Sequence, residues 1–155
     1  MKFKILWPGR TRNSDIKALQ EGLLKKIVHL NRCELIETKE ARGIEERYEN
    51  KILDVEAKGL EKHFSNDYII CLSDKGKEMS SKEFARFLEK LTSHSSRAAT
   101  FVVGGFLGLD KRIIQKADFL LALSKMTFSH EFIRLFLLEQ IYRSLTILKG
   151  QNYAK

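Results

Sequence analysis

Cysteine is scarce in this chain of 155 residues: there are two, Cys33 and Cys71, with no CxxC spacing between them. No disulfide framework is expected, and a reduced, cytoplasmic protein follows most simply. Long apolar runs are missing as well. Behind Met1 the first one is broken by Lys4 and ends at Trp7-Pro8-Gly9, so no signal-peptide core is expected. The most apolar segment, 132–148, carries Arg134, Glu139, Gln140 and Arg143, which argues against a membrane span. There is no GxGxxG fingerprint and no P-loop, so a Rossmann-type or Walker-type nucleotide enzyme is disfavoured. No linker, repeat, low-complexity tract or metal-ligating set is expected.

What is present suits one compact domain spanning 1–155, since 43% of residues are hydrophobic, enough to fill a single core. Lys and Arg (28) exceed Asp and Glu (20), giving +8 and favouring a polyanionic partner. The imbalance is largest from 101 to 155, with 8 basic against 4 acidic residues.

Runs rich in β-branched and aromatic residues at 2–7, 33–38, 68–73, 100–103 and 119–123 alternate with helical periodicity. Residues 14–30 place Ile16, Leu19, Leu23, Leu24, Ile27 and Leu30 on one stripe; 45–64 reads as a charged helix. A third helix begins at Ser80, where Ser80 and Glu83 have capping-box spacing and Phe84, Phe87, Leu88 and Leu91 face a core. This alternation predicts an α/β fold, a parallel-type sheet with helices on both faces. The last helix, 129–149, is apolar around almost its whole circumference, so it needs covering on more than one side. A homodimer supplies that cover; a helix buried wholly within the monomer is the other solution.

Three loops fall on the carboxyl edge of such a sheet, where α/β proteins bind ligands. Gly104-Gly105-Phe106-Leu107-Gly108 allows a sharp turn and close main-chain approach to a ligand, although a plain tight turn uses the same residues. Leu123-Ser124-Lys125-Met126-Thr127-Phe128-Ser129-His130 leads into the last helix, and Leu72-Ser73-Asp74-Lys75-Gly76-Lys77 follows the third strand.

Val102-Val103-Gly104-Gly105 with Gly108-Leu109, then Ala122-Leu123-Ser124, then His130, Arg134, Glu139-Gln140, Tyr142-Arg143 and Tyr153 resemble the RlmH (YbeA) family of SPOUT-class methyltransferases. The ordered set on the last helix, His-x3-Arg-x4-Glu-Gln-x-Tyr-Arg, gives the resemblance its specificity, and it extends over essentially the whole chain. It implies a SPOUT-like fold with a C-terminal trefoil knot, which strand and helix patterns alone would never suggest. It also implies a homodimer that uses S-adenosyl-L-methionine to methylate N3 of a pseudouridine in 23S, the large-subunit ribosomal RNA, on the assembled 70S ribosome.

Carried over by position, the cofactor would touch Leu72, Gly104, Leu123, Ser124, Lys125, Met126, Thr127 and Phe128. The Lys125 side chain, awkward beside a sulfonium, is expected to face solvent or RNA phosphate. The N3 proton must leave during transfer, and His130, Glu139, Arg143 and Tyr153 are the catalytic candidates. Arg134 and Arg143 are candidates for RNA contact, because a guanidinium offers a rigid donor fork to phosphate, and Lys155 is a third. Structural roles stay open: Glu139 pairing with Arg143 at i,i+4, His130 helping to cap its helix, and Leu72, Leu123 and Met126 as plain core. The chain departs from the family pattern at Ser129, where a proline is usual, and at Ala154, where a histidine is usual. Ser129 can cap the helix instead. Ala154 accepts no proton, which supports a competing reading: a ribosome- or RNA-binding protein that keeps the fold without catalysis.

Overall fold

A computed structural model describes residues 2–94 and 97–153. Five strands, β1 (Phe3–Pro8), β2 (Cys33–Thr38), β3 (Tyr68–Glu78), β4 (Ala99–Val102) and β5 (Phe119–Ala122), form one sheet in the order β2-β1-β4-β3-β5. Every pairing is parallel. Successive side chains of a strand point to opposite faces, and this sheet buries both. Phe3, Ile5, Trp7, Ile70 and Phe101 pack with α1 (Ser14–Leu30), α3 (Ser81–His94) and α5 (His130–Leu148) through Ile27, Phe84, Leu88, Leu137, Leu138 and Ile141. Leu6, Ile69, Cys71 and Val102 face the other way, onto Ala57 and Leu60 of α2 (Glu49–Glu61) and Ile113 of α4 (Lys111–Gln115). The expected α/β sheet with helices on both faces is the observed architecture.

Short polar side chains start α1, α4 and α5. Asn13 accepts hydrogen bonds from the Asp15 and Ile16 amides, Asp110 from Arg112 and Ser129 from Phe132. The capping box at α3 is formed: the Ser80 amide donates to Glu83 Oε2 at 2.7 Å and the Glu83 amide to Ser80 Oγ at 3.3 Å.

Two elements differ from the sequence reading. The helix expected over 45–64 is ordered as α2 only from Glu49 to Glu61. Residues 45–48 offer no buried side chain, and helical propensity without an apolar face does not hold a helix in water. The segment 72–77 is part of β3 rather than a loop after it. Leu72 and Lys77 are both in register with Leu121, so the four residues between them arch out of the ladder. Gly76 closes the arch against the β5 backbone, where a Cβ would lie 2.7 Å from the carbonyl carbons of Leu120 and Leu121. β5 follows β4 in the chain but lies beyond β3, so the connection carrying α4 crosses β3 before rejoining the sheet.

Candidate active site

At the carboxyl ends of β3, β4 and β5 lies a cleft of ≈ 910 Å³. Its walls come from the arch after Leu72, the turn after β4, and the segment between β5 and α5. The β4 turn is built from backbone alone. Gly108 donates its amide to the Gly105 carbonyl at 3.0 Å, and its φ of 79° is a conformation that glycine adopts without strain. A Cβ on Gly104 would stand 2.4 Å from the Gly108 carbonyl, so the two ends of the turn meet only without side chains.

Opposite, the 123–129 segment is organised by its own serines. The Met126 amide donates to Ser124 Oγ at 2.9 Å, and Ser129 caps α5. Leu123, Ser124, Met126, Thr127 and Phe128 line the cleft with Leu72 and Gly104. The structure thus brings seven of the eight expected cofactor residues together. The eighth, Lys125, points away: its ammonium is 3.7 Å from Glu78 and its side chain is largely in solvent, as charge repulsion from a sulfonium would favour. Met126 is 74% exposed and Phe128 43%, so both form the rim, and a ligand lying in the cleft would cover them. Lys111 and Ile133 also line the cleft and are not reached by the sequence reading. The available signal for Ile133 was its place three residues after His130, on the same helical face.

These walls suit S-adenosylmethionine. Gly104, Gly105 and Gly108 line the cleft with main chain alone, which suits the polar edges of an adenosine, and Leu72, Leu121, Leu123 and Ile133 supply apolar surface around it. Among the described residues, no group of three or more His, Cys, Asp or Glu is placed to hold a metal ion.

His130 is the first residue of α5 and lines the same cleft. Burial, and then the nearby Arg134 guanidinium, hold its pKa below the ordinary histidine value, so its neutral, proton-accepting form prevails at neutral pH. Capping is done by Ser129, which leaves the imidazole for the cleft.

Arg134 does not reach the surface, which corrects the expectation of a phosphate contact. It is 1% exposed and donates to the Pro8 carbonyl at 2.6 Å and to Thr11 Oγ1 at 3.4 Å. Its guanidinium also lies over the Trp7 ring, 5.1 Å from the centroid. A cation so enclosed ties α5 to the end of β1 and has no face left for RNA.

The other catalytic candidates stand apart from His130. Nine residues of helix put Glu139 about 13 Å along the axis from His130, and Arg143 is about 20 Å away. None of Glu139, Arg143 and Tyr153 lines the cleft. They form a cluster of their own: Arg143 grips Glu139 Oε1 through Nε at 3.0 Å and Nη2 at 2.6 Å, and stacks its guanidinium 5.1 Å from the Tyr153 ring. Tyr153 also meets Tyr142 edge-on at 4.5 Å, and burial, then Glu139, raise its phenol pKa. Gln140 donates to Glu139 Oε2 and accepts from Ser81, anchoring the cluster to α3. Within one chain, the expected catalytic set is therefore split between the first residue of α5 and a cluster formed by its middle with Tyr153 beyond its end. Lys155, like Ala154, lies outside the described residues.

Compared with known proteins, residues 1–154 match the family described as "Predicted SPOUT methyltransferase". The chain is 38% identical over 152 residues to a "Ribosomal RNA large subunit methyltransferase H" of Thermodesulfovibrio yellowstonii, covering 98% of this chain and 97% of that protein. It is 34% identical to a protein of the same description from Limosilactobacillus reuteri, with both chains covered in full (100% each). Among solved structures, a tRNA (m1G37) methyltransferase from Aquifex aeolicus superposes with a TM-score of 0.52 at 14% identity, covering 92% of this chain and 70% of that one. A probable methyltransferase from Bordetella pertussis gives 0.57 at 10% identity, covering 93% and 96%. At such identities these two likenesses speak for the fold alone.

Proposed function

The chain belongs to the SPOUT methyltransferase family, and on that premise we propose that it methylates N3 of a pseudouridine in large-subunit ribosomal RNA, on the assembled ribosome, using S-adenosylmethionine. It is a methyltransferase by family, and its full-length relatives are named for ribosomal RNA. The observation that carries the reading is the cleft itself, where the side-chain-free turn of Gly104 on Gly108 faces the 123–128 segment across one sheet edge.

S-adenosylmethionine, when bound, supplies an electrophilic methyl group. The chain contributes enclosure and orientation, which supply much of the acceleration of such a displacement. Leu72 and Leu123 exclude water, and the Gly104 and 124–128 main chain orients the adenosine. His130 is the proposed acceptor of the N3 proton of the target base, at an imidazole nitrogen; its neutral form and its position at the cleft wall support that role.

Glu139, Arg143 and Tyr153 join that site in this reading through a second copy of the chain. Phe128, Phe132 and Phe136 are 43%, 46% and 36% exposed and form one aromatic group at the start of α5, with ring centroids 5.2 Å and 5.9 Å apart. An exposed apolar patch beside the cleft supports a homodimer packed through α5, one subunit's Glu139–Tyr153 cluster completing the other's cleft. The crossing of β3 by the β4–β5 connection, with α5 entering after it, supports the trefoil knot known in this family. Arg143 and Lys155 are the proposed RNA contacts. Among the described residues no helix is long and apolar enough to cross a membrane, and a cytoplasmic location accords with work on ribosomes.

Calorimetry with S-adenosylmethionine followed by transfer of labelled methyl to purified ribosomes tests the proposal. Saturable binding and labelling of 23S RNA are expected. Ribosome binding without any cofactor affinity would overturn it in favour of a non-catalytic RNA-binding protein.

A further inference from the structure

Glu56 is a buried carboxylate with no assigned role. It lies on α2, is 4% exposed, and belongs to the helix layer that packs Ala57 and Leu60 under the sheet. It does not line the cleft. Its carboxyl group nevertheless reaches the back of the cleft's glycine turn: a Cβ on Gly105 would stand 2.8 Å from Glu56 Oε2 and 3.1 Å from Oε1. The space a side chain would occupy at position 105 is thus filled by the carboxylate of another element. Gly104 is crowded by Gly108 and Gly105 by Glu56, so the turn is clamped from two sides.

The surroundings leave this carboxyl group short of compensation. The Ala41 backbone, in the β2–α2 connection, favours its charged form. Charged groups on the neighbouring elements are mostly engaged elsewhere. Arg112 of α4 reaches Asp54 and Glu61, Lys4 of β1 pairs with Asp67, and Arg12 and Arg42 both grip Glu40. Glu37 of β2 faces Arg10. Glu40 disfavours a second negative charge nearby, and Arg134 of α5 favours it. Burial, then Glu40, push the Glu56 pKa up to about 7, inside the physiological range.

We propose that Glu56 is a positioning residue for the cleft: its carboxyl group holds the Gly104–Gly108 turn from behind, and affinity for the cofactor follows the charge on that group. The part concerning the cofactor rests on the function proposed above; the part concerning the turn does not. Ionised, the carboxylate draws Arg134 and adds negative charge behind a cleft that takes a sulfonium cation. Protonated, it keeps its volume against Gly105 but loses the charge.

The test reads the turn and the ligand separately. Amide resonances of Gly105, Phe106 and Gly108, followed by NMR in the ligand-free protein from pH 5.5 to 8.5, are expected to titrate with a midpoint near 7, and to stay flat in Glu56→Gln. Affinity for S-adenosylmethionine in the unaltered chain is expected to rise about fivefold across the same range, an ordinary size of coupling between two sites, and to be pH-independent in Glu56→Gln. Amides that titrate identically in both proteins, or in neither, would overturn the positioning role. Amides that titrate in a chain with no cofactor affinity at any pH would support the role and overturn the cofactor reading instead. A second arm is independent of titration. Gly105→Ala alone should lose most of its affinity, and Gly105→Ala combined with Glu56→Ala should recover part of it, because the space for the methyl is vacated. Absence of that recovery, with both variants folded by circular dichroism, counts against direct contact.

Discussion

Single residues in this protein act by what they exclude as much as by what they contribute. Gly104 has Gly108 backbone where a Cβ would go, and backbone cannot swing aside as a side chain can. Gly104→Ala is therefore expected to abolish S-adenosylmethionine binding in calorimetry while costing only about 1–3 kcal/mol of stability, the usual range for overpacking. Glu56 bears on stability in the opposite sense to a salt-bridged carboxylate. Its pKa is raised in the folded state, so its contribution is full below the unfolded value of 4.5 and is lost as pH climbs through about 7. Glu56→Gln should accordingly raise the melting temperature at pH 8 and change it little at pH 5. His130 is shifted the other way, and the methyl-transfer rate should hold down to a pH below the ordinary histidine value before falling. His130→Gln should remove that acidic limb from the pH–rate profile.

At the scale of elements, α5 performs two unlike tasks at its two ends. Its amino end, capped by Ser129, presents His130 and Ile133 to the cleft; its carboxyl half carries the Glu139–Arg143–Tyr153 cluster toward α3. Arg134 joins the helix to β1 between them. Arg134→Met should cost about 2–3 kcal/mol in urea unfolding, because the Pro8 carbonyl and the Thr11 hydroxyl lose a charged donor. The RNA affinity of the folded fraction should be unchanged, which separates this role from a phosphate contact.

For the whole molecule, the separation of His130 from Arg143 along one helix makes a definite prediction if two chains share each site. Gly104→Ala and Arg143→Ala should each be inactive alone. Mixed and allowed to exchange, half the dimers are heterodimers, each with one intact composite site, so activity should recover to about a quarter of the unaltered level. No recovery would place a complete site in one chain. Phe132→Glu and Phe136→Glu together should yield monomers by light scattering and abolish transfer with them.

The extent of α1 and β2, the start of α3, the positions of the glycine turn and the 123–128 segment, and the family itself were all legible in the residues, because periodicity, capping chemistry and short ordered motifs are local properties of a chain. The arch within β3, the shortening of α2, the burial of Arg134 and the approach of Glu56 to Gly105 were not. Each depends on which surfaces meet across tens of residues, as Arg134 does on Pro8 and Glu56 does on Gly105. An arginine has the same charge in either setting, and only tertiary packing decides whether it faces water and phosphate or the carbonyl at the end of a buried strand.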